Sequence, residues 1–408
     1  MSTQADMPAV ALSPAAGTER DAWFGITEHL LASGPADGIA VIENGKALSY
    51  AQLRAHVSGM RSLYDALGLE PGDRVGILGS NSAFWIASYL AAMAGYVAVP
   101  LSDRLTPADA ARQVEFADCR AIAIGQRQQR TFADAFGGRP MLTEADLDGA
   151  DAAKEPLPVP VAPDADAALM FTSGTTARPK AVRLTHRNLR ANTDSIVSYL
   201  ELDATDRMLV VLPFHYCYGA SLLHTHLRVG GSLVLCNTFT FPETAIETLD
   251  RECCTGFAGV PSTYQLLLRA STFVTRELPT LRRLQQAGGK LPPVMIEELA
   301  AAKPNARLFT MYGQTEATAR LSYLPPELLR EKLGSVGRGI PGVVLTVVDE
   351  AGDPVVPGVI GEIVAAGENI SPGYLDDPEA TSAKFPDGRL RTGDLAVVDS
   401  EGFIFIVD

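Results

Sequence analysis

The chain predicts an α/β fold of parallel-rich sheets covered by helices, followed by a smaller, mostly antiparallel β-unit. Two observations carry this. From about Trp23 onward, short apolar runs alternate with amphipathic stretches of helical period, as parallel strands joined by crossover helices require. From about Gly334 the pattern changes to strand, turn, strand, in "VVLTVVDEAGDPVVPGVIGEIVAAG" and again in "RLRTGDLAVVDSEGFIFIVD". The length of 408 residues suffices for two or three units with sizeable cores.

Taken in order, residues 1–21 read as a mobile tail, because no basic segment leads into an apolar one as in a signal peptide. Residues 22–333 form the large α/β core and 334–408 the small β-unit. Strands are expected over 74–79, 96–101, 120–125, 167–172, 207–213, 231–236, 256–260 and 306–312, with helices over "TDSIVSYLEL" and "PSTYQLLLRAS". The run 82–101 holds 20 residues without a charge, long enough to span a bilayer. Its Ala and Ser content, its break at Gly95 and the strand-like "GDRVGILGS" before it favour a buried helix followed by a core strand. Residues 153–166 carry four prolines and read as an exposed connector.

A formal net charge of −14 argues against broad nucleic-acid or anionic-membrane binding, so an anionic ligand needs a local cluster of donors. Five cysteines, an odd count without zinc spacing, read as reduced core or near-core thiols in a cytoplasmic protein. His224 and His226 sit two apart in a helical run, point apart and are expected to be structural.

Such a cluster exists in "MFTSGTTARPKAVRLTH" (170–186). Thr172, Ser173, Thr175 and Thr176 surround Gly174, Lys180 follows, and a helix opens near Thr185 with Asn188 completing a cap. Backbone N–H groups and hydroxyls in such a loop converge on an anion, and Lys180 adds a movable charge. A Walker loop needs a second glycine just before the lysine and a Ser or Thr just after it; here Pro179 and Ala181 stand there.

The loop instead resembles the phosphate loop of the AMP-forming, adenylate-making superfamily: acyl- and aryl-CoA synthetases, peptide-synthetase adenylation domains and beetle luciferases. It departs from the usual pattern at Ala177 and Ala181, where glycine is customary, which removes access to positive φ. Further segments match in family order over about residues 22–408. "MYGQTEAT" (311–318) resembles the Y-G-x-T-E box, implying that Tyr312 stacks on adenine, Thr315 touches the α-phosphate and Glu316 helps hold Mg²⁺, with Met311, Gly313 and Gln314 as neighbouring contacts. In "AGGKLPP" (287–293) Gly288, Gly289 and Lys290 would wall the adenine slot; Lys290, where alanine is common, reaches either solvent or a phosphate. In "RTGD" (391–394) Asp394 would take the ribose hydroxyls. The segment 361–381 reads as scaffold.

The resemblance also implies an acid pocket beside "LPFHYCYGAS" (212–221), formed by His215, Tyr216 and Gly219 with Gly288, Gly313 and Gln314. His215 would gate the reacting carboxylate, or else simply cap a strand end. Domains for α-amino acids usually carry Asp where Tyr216 stands, so the expected substrate is a carboxylic acid without an α-amino group. The implied reaction is attack of that acid on the α-phosphorus of ATP, loss of pyrophosphate, then thioester formation with CoA or the phosphopantetheine of an acyl carrier protein. The chain ends at Asp408, before the hinge and α+β C-terminal domain that bring the family's catalytic lysine. The expectation is therefore the N-terminal part of a longer, cytoplasmic acid–CoA ligase, poorly active by itself. A carrier-protein-loading enzyme and a naturally short ligand-binding paralogue remain the alternatives.

Overall fold

The computed structural model describes residues 24–149, 160–172 and 179–407. Strands β1 (Ile39–Glu43) and β2 (Lys46–Ser49) pair through a two-residue turn. Its central Asn44 and Gly45 both have positive φ, 51° and 75°, as an Asn-Gly hairpin turn requires. The sequence reading placed no strands here.

A six-stranded sheet follows from β3 (Arg74–Leu78), β4 (Val97–Leu101), β5 (Cys119–Ile124), β6 (Met141–Leu142), β7 (Asp166–Thr172) and β8 (Lys180–Thr185), in the order β6-β5-β3-β4-β7-β8. It is parallel except for β8, which runs antiparallel to β7 and sets Lys180 opposite Thr172. Residues 180–185 are thus a strand, correcting the expected direct passage from loop to helix. The helix His186–Leu200 does start where predicted: Thr185 and Asn188 form a reciprocal capping box.

The largest sheet adds β9 (Arg207–Val210), β10 (Ser232–Leu235), β11 (Gly256–Gly259), β12 (Arg283–Gln286), β13 (Arg307–Tyr312), β14 (Ser322–Leu324) and β15 (Arg338–Gly339). Its order is β15-β14-β13-β12-β11-β9-β10-β1-β2, parallel from β13 through β1, with antiparallel edges. Finally β16 (Val343–Val348), β17 (Gly361–Gly367), β18 (Leu390–Val398) and β19 (Ile404–Ile406) form the small antiparallel sheet. The fold class is the one the sequence predicts.

The uncharged run becomes the helix Ala83–Ala92, buried at every position from Phe84 on, followed by Gly95 at φ +126° and β4. It shares one apolar cluster with both large sheets, because a helix apolar all round must be covered on all sides. Among the described residues no helix is long and apolar enough to cross a membrane. His224 and His226 are buried and paired with the Tyr89 hydroxyl (3.1 Å) and the Leu222 carbonyl (2.9 Å), as structural residues. Cys119, Cys236 and Cys254 are core thiols, but Cys253 is exposed, at a left-handed backbone position after a helix end.

Strand β12 is unusual in burying Arg283, Gln285 and Gln286. Arg283 Nη1 pairs with Asp206 Oδ1 at 2.6 Å and donates to the carbonyls of Leu200 and Glu201, tying the helix His186–Leu200 to the sheet. Removing one member of such a buried pair costs about 3–5 kcal/mol.

Candidate active site

Parallel strands present ligands at their carboxyl ends. At the ends of β12 and β13 lies a cavity of 600 Å³. One wall is Gly288, Gly289 and Lys290, just beyond β12. Both glycines have positive φ, 78° and 153°, so a side chain here would be strained. The opposite wall is Met311, Tyr312, Gly313 and Gln314, where β13 ends. Gly313 is required by space: a Cβ would stand 2.0 Å from the Ala319 carbonyl oxygen. Asp394 of β18 completes the lining.

Three segments, the outermost more than a hundred residues apart, therefore meet at one place. Tyr312 Oη donates to Asp394 Oδ2 at 2.5 Å, joining the large sheet to the small one. Burial first, then this bond, raises the Tyr312 hydroxyl above the ordinary phenol range. Gln314 Nε2 reaches Tyr312 Oη and the Thr392 carbonyl, each at 3.4 Å. Lys290 is exposed, and its Nζ donates to the Ile406 carbonyl at 3.1 Å, tying the glycine wall to β19. A flat ring fits between a glycine wall and a tyrosine, and a carboxylate in the lining accepts from hydroxyls.

Thr315 and Glu316 begin a short 3-10 turn just past this cavity and do not line it. Thr315 Oγ1 donates to Cys217 Sγ at 3.5 Å, linking the turn to the helix Cys217–Arg228. Glu316 Oε1 accepts from Tyr374 Oη at 2.8 Å, and the Glu316 carbonyl accepts from Ser371 N. The turn ends at Thr318, whose φ of +68° is an outlier for a β-branched residue; its hydroxyl holds the Asn369 carbonyl at 2.7 Å.

Ser173, Gly174, Thr175 and Thr176 lie outside the described residues, as does Ala177. Their flanks, Thr172 and Lys180, close the β7–β8 ladder. Lys180 Nζ stands 5.3 Å over the Tyr374 ring, whose hydroxyl holds Glu316. Tyr374 thus joins the base of the loop to the acidic box, and burial and the adjoining carboxylate push its hydroxyl far above the usual range. The sequence reading took 361–381 as scaffold and missed Tyr374. Ala181 is buried within β8, where an extended backbone makes no demand for glycine.

His215 is buried, and burial pushes its pKa down to about 4, with Asp103 acting weakly in the opposite direction. Its Nε2 meets no partner among the described residues. The loop before it is clamped by Asn81, which bonds the Leu212 carbonyl and the Phe214 amide, each at 2.9 Å. Tyr216 is 52 % exposed and tilts against His215, ring centroids 4.2 Å apart. Neither residue lines the 600 Å³ cavity, nor does Gly219, whose missing side chain leaves room for the Pro213 carbonyl. The three stand one or two residues from Cys217, which touches Thr315.

Comparison with known proteins gives a consistent result. A feruloyl-CoA synthase from Amycolatopsis sp is 34% identical over 377 residues, spanning 90% of this chain and 75% of that protein. Among solved structures, o-succinylbenzoate CoA synthetase from Bacillus subtilis in complex with its acyl-adenylate intermediate superposes with a TM-score of 0.84 at 27% identity, over 95% of this chain and 78% of the other. ATP-bound MatB from Rhodopseudomonas palustris gives 0.86 at 27% identity, over 94% and 78%. Residues 28–375 carry the match to the AMP-binding enzyme family, and to that family, among adenylate-forming acyl- and aryl-CoA ligases, the chain belongs.

Proposed function

We infer that the chain activates a carboxylic acid with ATP, forming an acyl-adenylate and releasing pyrophosphate, with CoA as the thiol that then takes the acyl group. The observation that supports this best is the meeting of Gly288–Gly289, Tyr312 and Asp394 around one cavity at the carboxyl ends of β12 and β13. In this reading adenine lies between the two glycines and Tyr312, and Asp394 receives the ribose. The phosphates run from there toward Thr315 and Lys180.

Mg²⁺ fits the donor set. A half-buried carboxylate, Glu316, is held in place by Tyr374, and a magnesium ion arriving with nucleotide phosphates needs only one or two protein carboxylates. When bound, the ion would neutralise charge developing on the leaving pyrophosphate. The chain's own part is to orient Glu316, present Thr315 and Lys180 to phosphate oxygens, and keep the acid beside the helix Cys217–Arg228. His215, held neutral by burial, suits contact with an acid's hydrocarbon and a weak hydrogen bond, not a charge pair. Tyr216 offers no carboxylate for an ammonium, which supports an acid without an α-amino group.

The test is direct. The chain is titrated calorimetrically with a non-hydrolysable acyl-sulfamoyl adenosine, and pyrophosphate release is followed with ATP, Mg²⁺ and a panel of acids that includes α-amino acids and their des-amino counterparts. Saturable binding and release with des-amino acids are expected. A folded chain that binds neither ATP nor the analogue would overturn the reading.

A further inference from the structure

Arg320 is among the most deeply buried side chains, at 1% exposure, yet its Nε and Nη2 meet no acceptor among the described residues. Its guanidinium carbon lies 3.9 Å from the centroid of the Tyr218 ring, and Tyr199 stands beside the group. Buried charges in proteins are ordinarily paired, because desolvation without a counter-ion is costly.

A second unpartnered group faces the same apolar cluster. Gln285, also 1% exposed, has neither its Oε1 nor its Nε2 hydrogen-bonded among the described residues. Strand alternation fixes its face: it pairs with Ala258 and Phe309, which share a cluster with Tyr218, whereas Leu284 and Leu308 belong to another. Tyr218 links the two residues, its ring beneath Arg320 and its hydroxyl on the backbone carbonyl of Gln285 at 2.9 Å. Tyr218 also reaches the glycine wall of the proposed nucleotide cavity, its Cδ1 4.0 Å from where a Cβ on Gly288 would stand. Its neighbour Cys217 receives the Thr315 hydroxyl.

Resting on the adenylation reading, we propose that Arg320 and Gln285 form a recognition pair for a second carboxylate on the acid, making the substrate class dicarboxylic. A carboxylate supplies the missing counter-ion and accepts from two guanidinium N–H groups at once, while the Gln285 amide offers a further donor. A plain alkyl or aryl acid leaves all of these donors bare.

Calorimetry on the full chain tests this with matched pairs: adipate against hexanoate, and terephthalate against 4-methylbenzoate. ATP is titrated separately. The dicarboxylate of at least one pair is expected to bind about tenfold or more tighter than its partner. Arg320→Met should bring that ratio to about one, and Arg320→Lys should restore part of it, with ATP affinity unchanged. Gln285→Leu, which keeps the charge, should lower the ratio by a few-fold and guards against misfolding of the arginine variants. No preference for a dicarboxylate in either pair overturns the proposal, as does a preference that survives Arg320→Met or is untouched in Gln285→Leu. If ATP binds while the preference is missing, this inference fails and the adenylation reading stands. If ATP does not bind while an Arg320-dependent preference is present, the reverse holds.

Discussion

The Tyr374 hydroxyl donates to Glu316 Oε1 at 2.8 Å, although the two residues lie 58 positions apart and belong to different sheets' connections. The bond aims the acidic side chain of the T-E box, and the Tyr374 ring simultaneously lies beneath Lys180. A residue that reads as scaffold in the sequence thereby links Glu316 to Lys180, the two groups proposed above to meet the phosphates.

Tyr374→Phe keeps the ring and loses the bond to a charged acceptor, worth about 1.5–3 kcal/mol. The expected outcome is a roughly tenfold fall in kcat/KM for pyrophosphate release, with the Mg²⁺ dependence shifted to higher concentration and Tm lower by a few degrees. An unaltered Mg²⁺ titration would show that Tyr374 does not orient Glu316.

Tyr312 and Asp394 are coupled, so their substitutions should not add. Asp394→Asn and Tyr312→Phe are each expected to weaken ATP binding, and the double variant to cost less than the sum by about 0.5–3 kcal/mol. Calorimetric titration of ATP into all four proteins checks this; strict additivity would mean that the 2.5 Å contact has no role in the site.

Gly219→Ala separates packing from specificity. A Cβ at this position would stand 2.0 Å from the Pro213 carbonyl oxygen, so the backbone must move. Urea unfolding should show a loss of about 1–3 kcal/mol, with the ranking of acids preserved among the folded molecules. A change of ranking at unchanged stability would instead place the glycine in the acid pocket.

Four histidines give stability a pH dependence. Burial lowers the pKa of His186, His215 and His226 to about 4 and that of His224 to about 3. Above about pH 6.5 each is neutral whether folded or unfolded and contributes nothing. As pH falls from there, the unfolded chain takes up protons that the folded one refuses. Stability then drops by up to about 1.4 kcal/mol per pH unit per histidine until the folded pKa is reached. Urea melts at pH 7.5, 6 and 5 should show the decline, and His224→Gln should make it shallower; identical slopes in the two proteins would contradict the assignment.

The motifs of the site were legible in the sequence because each joins residues of one short loop, and the long apolar strands were legible by their composition. What escaped was set by tertiary context. Strand β12 escaped because "RLQQ" looks like a surface segment, and only the fold shows that its polar side chains face inward. Strand β8 was read as loop because Pro179 precedes it and a helix cap follows it directly. The β1–β2 hairpin carried a visible Asn-Gly signal that the reading passed over. Arg320 and Tyr374 had no local signal at all: burial of one and the hydroxyl partner of the other depend on segments distant in the chain.

The bond between Tyr312 and Asp394 also has a thermodynamic consequence. A carboxylate already engaged by a phenol is not an empty receptor, and a diol that reaches it must compete for its lone pairs. For the nucleotide proposed above, the affinity would be the difference between two bonded states, smaller than the gross strength of the new contacts. The same engagement keeps the strand that carries Asp394 in place before any ligand arrives, so filling the site exchanges one hydroxyl partner and leaves the backbone where it stands.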